Sequence, residues 1–421
     1  MKNSWYSSKA LPTFRAAPCL AGLLAIVAGC GSDDADGEDK TIDVSREALE
    51  HRAYVVSELS DDLFIVDLKT MKKVGQVDTN VGSGVNGNHM AMLSKDGTKL
   101  FITATNHDSI AVVDTIAQRV VDTIKIGPHN THSSACFGCG PGGRDELWVV
   151  NEGGEEHAGS ISIIDMKLDR EVEKIEHPSF VVPHNVRFSG HKAYVPSIGG
   201  NQISVVDRGS YEVTDVLLLR GETKAGACSA DPCGYADAQI DGNGVLFAAH
   251  IESGIVIAYD TREEKRVADI PMGFQPWSVF VDQLSNDFDT HLMPNWGDST
   301  VSIMDRKRLA EINRSREGDV ESYGINYSPR APGEAFVLNR IKEAVAVIDR
   351  ESGDLIERID VGGTTETAAT TQDGRYLLLP ISSANAFAVY DVETHNEVQR
   401  FEGVGKYPWS VTTMGGQNYC H

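Results

Sequence analysis

One short segment recurs along this chain and limits what it can fold into. Ser109–Asp114 is a clear copy, with small and β-branched apolar residues that end at an aspartate. The other copies are Leu63–Asp67, Ser160–Asp165, Ile203–Asp207, Ile255–Asp260, Val301–Asp305, Val345–Asp349 and Phe387–Asp391. The closing aspartates lie between 42 residues (Asp165 to Asp207) and 53 residues (Asp207 to Asp260) apart. A repeat of about 40 to 50 residues built from short strands is typical of the blades of a β-propeller.

The second repeat shows how one unit is built. Asn88–Leu93 predicts an apolar inner strand, and Asp96-Gly97 predicts a turn. Thr98–Thr103 and Ile110–Asp114 predict the second and third strands. Val120–Ile126 has the alternation expected of a half-exposed outer strand. Four antiparallel strands per repeat predict an all-β fold, a single propeller with four-stranded blades.

This repeat resembles that of the YVTN-repeat, or YncE-like, β-propellers of bacteria, in which a "DG" turn precedes a "lyVtN" strand and a "VsViD" strand. The matching segments here are Asp96-Gly97, Phe101–Thr103, Ala111–Asp114 and Thr123–Gly127, with later copies at Leu147–Asn151 and Phe336–Asn339. The resemblance covers about residues 51–416. It implies an exported bacterial propeller but indicates little about function, because the family contains many uncharacterised proteins.

The two ends of the repeat region predict how the ring closes. His51–Val56 has the pattern of a second strand with no inner strand before it, and Trp409–Thr413 that of an inner strand with no second strand after it. Pairing these segments would complete the first blade and remove free sheet edges. The eight closing aspartates then predict eight blades, with seven as the alternative if one divergent unit is an insertion. An eight-bladed ring resembles the haem d1 domain of cytochrome cd1 nitrite reductase.

The first fifty residues predict export rather than folding. Residues 1–29 combine basic residues with the short apolar stretch Ala16–Ala28, as in a signal peptide. Ile26–Cys30 resembles the lipobox of bacterial lipoproteins, which implies cleavage before Cys30 and lipid attachment to that cysteine. An ordinary secretory signal is the alternative. Residues 30–50 are acidic and predict a flexible tether, so the propeller is expected to span residues 51–421.

The expected cellular location and the net charge together limit the expected binding partners. Lipid attachment would hold the protein in the bacterial cell envelope, and Gly31 after the cysteine implies the outer membrane under the usual Gram-negative sorting rule. The lipid is then the only expected contact with a membrane. A formal net charge of −23 argues against nucleic acid, whose phosphates an acidic chain repels. We expect a monomer that binds an envelope protein or a small ligand.

Histidines collect in the connections that enter the inner strands. His89, His129, His132 and His184 lie there in three successive repeats, and His250 ends a second strand on the same face. Neutral imidazole is the commonest metal ligand, so these residues are candidate ligands of copper, zinc or iron, or axial ligands of a haem. Imidazoles at such turns can also hydrogen-bond backbone carbonyls and simply support the rim. Both interpretations remain open.

Two close cysteine pairs lie in enlarged connections. Cys136 and Cys139 share one, and Cys228 and Cys233 share another. In an exported protein such pairs predict disulfide bonds. Gly140 stands where a c-type haem site requires histidine, which excludes that motif. The alternatives are a redox-active C-x-x-C pair and a zinc site made from all four thiolates.

The sequence constrains function less than fold. It contains no Gly-rich phosphate loop, no G-x-S-x-G elbow and no H-E-x-x-H motif. We therefore predict a lipid-anchored binding or scaffold protein that presents one loop face to a partner. The alternative is a metal- or haem-dependent redox protein with a histidine-lined site near the axis, with copper or haem as candidate cofactors. A lactonase-like hydrolase or lyase would need acidic ligands near the axis, and Asp237 and Glu366 are the residues that offer them. Whether the protein is an enzyme stays open.

Overall fold

A computed structural model of the protein describes residues 46–419, apart from residues 155–157, 219–225, 229–231, 285–288 and 317–321. The predicted signal peptide, the predicted lipid attachment at Cys30 and most of the predicted tether lie outside the described residues. The last residues of that tether form one helical turn, α1 (Arg46–Glu50), whose Leu49 is buried. No helix among the described residues combines the length and hydropathy that crossing a bilayer requires.

Short strands follow one another along the described chain. The first are β1 (Arg52–Ser57), β2 (Asp62–Asp67) and β3 (Lys72–Asp78). Next come β4 (Asn88–Leu93), β5 (Lys99–Ala104), β6 (Ser109–Asp114), β7 (Arg119–Lys125), β8 (Asn130–Gly140), β9 (Arg144–Asn151), β10 (Ser160–Asp165) and β11 (Arg170–Glu176). The middle of the chain forms β12 (Arg187–Ser189), β13 (Lys192–Pro196), β14 (Ile203–Asp207), β15 (Val213–Leu217), β16 (Tyr235–Ile240), β17 (Val245–His250), β18 (Ile255–Asp260) and β19 (Lys265–Pro271).

The remaining strands complete the ring. They are β20 (Thr290–Asn295), β21 (Thr300–Asp305), β22 (Ala310–Ser315), β23 (Ser322–Asn326), β24 (Glu334–Asn339), β25 (Ala344–Asp349), β26 (Leu355–Asp360), β27 (Ala368–Thr370), β28 (Tyr376–Ile381), β29 (Ala386–Asp391), β30 (Glu397–Glu402), β31 (Pro408–Thr413) and β32 (Gln417–Tyr419). A 3₁₀ turn, Ser382–Ala384, separates β28 from β29.

The strands of the described residues form the eight blades of a propeller, as predicted. β31 pairs with β1, with Tyr54 opposite Thr412, so the C-terminal strand is the innermost strand of the first blade. The predicted ring closure is therefore confirmed. Blade 6 has three regular strands, β20 to β22, and its innermost strand is reduced to isolated pairs made by Pro276 and Phe280.

The aspartate that closes each recurring segment builds the turn into the fourth strand. Asp114 Oδ1 accepts hydrogen bonds of 2.8 Å from the backbone N–H groups of Ile116 and Ala117. The equivalent aspartates of the other blades accept from the residues two or three positions ahead. The residue four positions after each aspartate has a left-handed φ, between 51° and 73°. This turn chemistry explains why the repeated segment ends at aspartate.

The hydrophobic core is divided into clusters that lie between neighbouring blades. Between blades 2 and 3, Phe101 and Val112 pack against Leu147 and Val149. The cluster that joins blade 8 to blade 1 is built in the same way. Burying one such side chain contributes about 1.5–3 kcal/mol. The interfaces therefore make the ring a rigid scaffold for the loops at its ends.

Five of the eight inner strands have the same irregularity near the end of the ring that carries the candidate site. In blade 2, Asn88 pairs with Ala104 but Ala91 pairs with Ile102, so one extra residue is inserted after the first pair. The inner strands of blades 1, 3, 5 and 7 have the same one-residue register shift near the same end. Such β-bulges change the direction of the side chains beside them and are frequent next to functional sites.

The end of the chain adds a strand that the sequence analysis does not predict. β32 pairs with β27, with Thr370 opposite Gln417, and so lies on the axial side of blade 8. Gln417 is buried, and its side-chain amide donates a hydrogen bond of 3.1 Å to the backbone carbonyl of Val281. The last strand therefore links blade 8 to blade 6 at the centre of the ring.

Both close cysteine pairs are disulfide-bonded. Cys136 and Cys139, near the end of β8, have Cα atoms 5.6 Å apart. Cys228 and Cys233, between β15 and β16, have Cα atoms 6.0 Å apart. The alternative of a zinc site made from the four thiolates is therefore wrong, because no free thiolate remains among these four residues.

Candidate functional site

One end of the ring gathers a buried side chain from the start of each inner strand. In blade order these side chains are Trp409, His89, His132, His184, Ala236, Trp277, Tyr323 and Glu366. Inner-strand starts lie nearest the axis of a propeller. We call this set the axial layer.

The rings of the axial layer contact one another across blades. His89 stacks on Trp409 with ring centroids 4.7 Å apart and meets His132 edge-to-face at 5.2 Å. His132 and His184 are closer, with centroids 4.3 Å apart, and His184 meets Trp277 at 6.1 Å. The structure thus brings together three of the five predicted histidines, each from a different blade.

A second group of side chains approaches the layer from the turns that follow the second strands. The first residue after that strand is Glu58 in blade 1, Glu152 in blade 3, Trp296 in blade 6 and Arg340 in blade 7. The sequence alone does not indicate that these residues belong to a site, although their turns are expected on the histidine face. Their shared position in the repeat is the signal that would have identified them.

His132, Glu152 and His184 form a compact group that we call the His–Glu–His cluster. One ring nitrogen of each histidine and one carboxylate oxygen all lie within 4.8 Å of one another. In a tetrahedral site with bonds of about 2.0–2.1 Å, the ligand atoms would be about 3.3 Å apart. Modest side-chain rotations would therefore bring all three ligand atoms onto one ion.

Local hydrogen bonds orient the cluster. His132 Nδ1 lies 3.0 Å from the Thr131 hydroxyl, which donates a hydrogen bond of 2.9 Å to Glu152. That direction places the imidazole proton on Nδ1 and a lone pair on Nε2. His184 Nδ1 is buried and has no hydrogen-bond partner among the described residues. A buried polar atom of this kind is costly in a purely structural residue.

Burial keeps the imidazoles of His89 and His184 neutral. Burial lowers the pKa of His184, although the charge of Asp237 and a hydrogen bond between the ring and the backbone of Ala236 oppose this shift. Burial, followed by the charges of His184 and Arg340, lowers the pKa of His89 to about 3. A neutral imidazole retains the lone pair that binds a metal ion. His184 is therefore in the protonation state that metal binding requires.

The opposite side of the layer contains an ion pair framed by aromatic rings. Arg340 Nε donates a hydrogen bond of 2.6 Å to Glu366, and the Tyr407 hydroxyl donates to the other carboxylate oxygen. The Arg340 guanidinium lies 4.0 Å from the centroid of the Tyr323 ring. Although burial acts to lower it, the pKa of Arg340 is raised by Tyr323 and Glu366. Arg340 therefore stays charged, and its charge is balanced within the layer.

Glu58 lies between the two sides. Its Oε1 is 4.0 Å from His89 Nδ1. Burial, and then the charge of Glu366, raise the pKa of Glu58 to about 7, while Arg340 opposes the rise. Glu58 is therefore a buried carboxyl group that ionises near neutral pH.

The other two predicted histidines lie outside the cluster. His129 is exposed, and its Nδ1 is 3.0 Å from the backbone carbonyl of Thr105, to which it donates. His250 is buried, with Nε2 at 2.8 Å from Asn201 Oδ1 and its ring edge against Tyr235. One ring nitrogen of each residue is thus hydrogen-bonded to another part of the fold, and neither residue belongs to the group of three axial histidines.

The two acids considered for a hydrolase lie in separate polar networks. Asp237 is fully buried and accepts hydrogen bonds from the Ser278 hydroxyl at 2.6 Å and the Gln239 amide at 2.9 Å. Glu366 is bound by Arg340 and Tyr407. These acids therefore do not form a shared pair of ligands.

Comparison with known proteins identifies the fold but not a family. No family model and no curated protein matches this chain. Among solved structures, dihydro-heme d1 dehydrogenase NirN in complex with DHE has a TM-score of 0.65 at 15% identity, covering 87% of this chain and 76% of that one. Apo AztD from Citrobacter koseri has a TM-score of 0.59 at 12% identity, covering 88% of this chain and 99% of that one. A functionally unknown protein from Desulfotomaculum acetoxidans has a TM-score of 0.51 at 12% identity, covering 86% and 98%.

At these identities the likeness concerns the fold alone. It agrees with the expected similarity to haem d1 propellers. Membership of the YVTN-repeat family stays a prediction.

Proposed function

We propose that the His–Glu–His cluster binds a divalent transition-metal ion and that this binding is the function of the axial layer. The observation that carries the proposal is the placement of three ligand atoms within 4.8 Å of one another by separate segments of blades 3 and 4. His184 supports it, because its buried Nδ1 has no hydrogen-bond partner among the described residues. In a rim built only for structure, that nitrogen would be expected to have a partner.

The ligand set indicates the class of metal. Two imidazoles and one carboxylate suit zinc, copper(II) or iron(II), whereas magnesium and calcium prefer oxygen ligands. Three protein ligands leave coordination positions for water or a small ligand. When bound, such an ion would supply Lewis-acid or redox chemistry at this face. The chain itself would contribute neutral imidazoles and the Thr131 hydroxyl that orients His132.

The charges around the cluster favour a cation. Arg340 is balanced by Glu366, and Arg187 faces Asp237 at 3.9 Å. Glu152 adds a negative charge to the cluster itself, and the chain as a whole carries a formal charge of −23. A divalent cation would therefore gain electrostatic energy on entering.

Calorimetric titration of chelator-treated protein with Zn²⁺ and Cu²⁺ tests the proposal. We expect one ion per chain, and each of His132→Ala and His184→Ala should weaken binding by about a hundredfold or more, because even outer-shell changes cost 10- to 100-fold. His129→Asn is the matched control: it removes an exposed imidazole from the same connection, and Asn tolerates the left-handed φ of 52° found there. Unchanged affinity in the His132 and His184 variants, or no binding by folded wild-type protein, would overturn the proposal.

A tetrapyrrole is the second candidate ligand. The fold likeness to NirN, whose structure contains DHE, supports it together with the three axial histidines. The side chains of the layer weaken it, because His89 contacts both Trp409 and His132, with ring centroids 4.7 and 5.2 Å away. A macrocycle would have to displace these rings or lie above them. The visible spectrum of protein purified from its own host separates the two candidates, since a tetrapyrrole absorbs visible light far more intensely than a mononuclear zinc, copper or non-haem iron site.

We further propose that lipid on Cys30 holds the propeller in the bacterial envelope, where its loop face binds an envelope protein or a small ligand. The sequence of residues 26–30 supports this location. Growth with a radioactive fatty acid should label the wild-type protein but not Cys30→Ser. Equal labelling of both proteins, or an unlabelled wild type, would contradict the anchor without affecting the metal proposal.

A further inference from the structure

We infer that the Cys136–Cys139 disulfide is a thiol–disulfide exchange site for a partner protein that carries a dithiol, with Arg208 stabilising the sulfur that leaves. The pair lies near the end of β8, whereas His132 lies near its start. The site is therefore separate from the axial layer and does not depend on the proposed metal.

The hairpin between β8 and β9 presents this disulfide to solvent. The register between the strands shifts between Cys136 and Gly140, so the intervening residues bulge out of the ladder. Phe137 is 45% exposed and Cys139 is partly exposed, whereas Cys136 is only 8% exposed. Cys139 is thus the sulfur that an incoming thiolate can reach, and Phe137 offers an apolar contact beside it.

Arg208 gives the less exposed sulfur a positively charged neighbour. Its Nη1 lies 2.9 Å from Cys136 Sγ, and its other terminal nitrogen donates to the backbone carbonyl of Gly190. Glu146, opposite Cys136 in the hairpin, is paired with Arg144 at 2.8 Å. Since a guanidinium beside a sulfur favours the thiolate over the thiol, this arrangement stabilises Cys136 as a leaving group.

The exchange can be written with all atoms and electrons accounted for. A thiolate of the partner attacks Cys139 Sγ, a mixed disulfide forms, and the Cys136–Cys139 bond breaks with its electron pair on Cys136. The second thiol of the partner, as thiolate, then attacks the partner sulfur and releases Cys139. The partner becomes a disulfide and loses two electrons and two protons. Cys136 and Cys139 gain both and become thiols.

The second disulfide provides an internal comparison. Cys233 is fully buried, and its backbone N–H donates to the Ile198 carbonyl at 3.3 Å. Cys228 is partly exposed, but an attack on it would leave the thiolate on the fully buried Cys233, whose burial disfavours the charged form and makes it a poor leaving group. We expect Cys228–Cys233 to be a structural link that exchanges slowly.

Site-resolved reduction of the full-length protein tests this inference. The oxidised protein is incubated with dithiothreitol at pH 7, quenched with acid, alkylated and digested with trypsin. Residues 126–144 and 225–262 form separate tryptic peptides, one for each disulfide. The fraction of each pair that is reduced is then followed with time and at equilibrium. Circular dichroism checks that each variant is folded.

The expected result is reduction of Cys136–Cys139 at least about tenfold faster than that of Cys228–Cys233. Arg208→Gln should slow it about tenfold and shift its equilibrium toward the disulfide, and Arg208→Lys should restore most of the rate. A merely structural Arg208 would give the opposite sign, because a loosened hairpin is reduced faster. Faster or unchanged reduction in Arg208→Gln, or equal rates for both wild-type disulfides, would overturn the inference.

Discussion

The two sides of the axial layer differ in how their polar groups are satisfied. On the side of blades 7 and 8, Arg340, Glu366 and Tyr407 hydrogen-bond one another. On the side of blades 2 to 4, His132 and His184 stand with ring centroids 4.3 Å apart, and His184 Nδ1 has no partner among the described residues. On the side of blades 7 and 8 the buried polar groups are paired, as they are in most protein interiors. On the side of blades 2 to 4 a buried nitrogen without a partner lowers the stability of the ligand-free protein, and a bound ligand would restore it, which is common at functional sites.

Removing Arg340 should have the largest effect on stability. Arg340→Met leaves the carboxylate of Glu366, which is 2% exposed, without its cation. We expect the free energy of unfolding to fall by about 3 kcal/mol, in the range measured for breaking buried pairs. Urea unfolding followed by tryptophan fluorescence measures it.

The double variant Arg340→Met/Glu366→Gln is the control, since it removes both charges and should recover at least half of the loss. If Arg340→Met unfolds within about 0.5 kcal/mol of the wild type, the ion pair does not hold this side of the layer together.

Glu58 should make stability depend on pH in a defined direction. Its pKa is about 7 in the folded protein, above its ordinary value of 4.5, so the folded state retains a proton that the unfolded chain releases. The stability that the folded protein gains from this retained proton is fully present below about pH 4.5 and is lost as pH rises through about 7. Because glutamine cannot ionise, Glu58→Gln should be more stable than the wild type by about 1–3 kcal/mol at pH 8.

That difference should fall to less than about 0.5 kcal/mol at pH 4.5, where the carboxyl is protonated in the folded state and half protonated in the unfolded chain. Urea unfolding of both proteins at the two pH values checks it. A wild-type advantage at pH 8 would mean that ionised Glu58 is stabilised by its surroundings rather than penalised by burial.

Replacing His184 should have the smallest effect on the metal-free protein. His184→Leu removes Nδ1, which has no partner among the described residues, together with the hydrogen bond to the Ala236 backbone, and it keeps an apolar side chain in the layer. We expect the free energy of unfolding to change by less than about 1 kcal/mol, because the lost packing and the relieved burial oppose each other. The variant should however lose the rise in melting temperature that Zn²⁺ gives the wild type. If the metal-free variant were much less stable than the wild type, His184 would be a structural residue, like Arg340 and Glu366, rather than a metal ligand.

Much of the fold can be predicted from the sequence because its turns are local. Asp114 and its equivalents specify the same hairpin in each blade through hydrogen bonds to the next few residues. The predicted strands of blade 2 agree with β4 to β7 within one residue at each end. Ring closure was predictable because two incomplete blades can satisfy each other's edges.

The candidate site was less predictable because it depends on long-range geometry. Arg340 and Glu366 are 26 residues apart in sequence and belong to different blades. Glu152 follows β9 and His184 precedes β12, so they meet only because blade 3 packs beside blade 4, and no local sequence pattern indicates this contact. Likewise, nothing in the short segment Gln417–Tyr419 indicates that it pairs with β27.

The most direct test of the account is diffraction from crystals of the wild-type protein grown with Zn²⁺, with data collected on both sides of the zinc absorption edge. The account predicts an anomalous peak bonded to His132, His184 and Glu152 at about 2.0–2.1 Å. A well-ordered axial layer with zinc bound only elsewhere on the protein would contradict it.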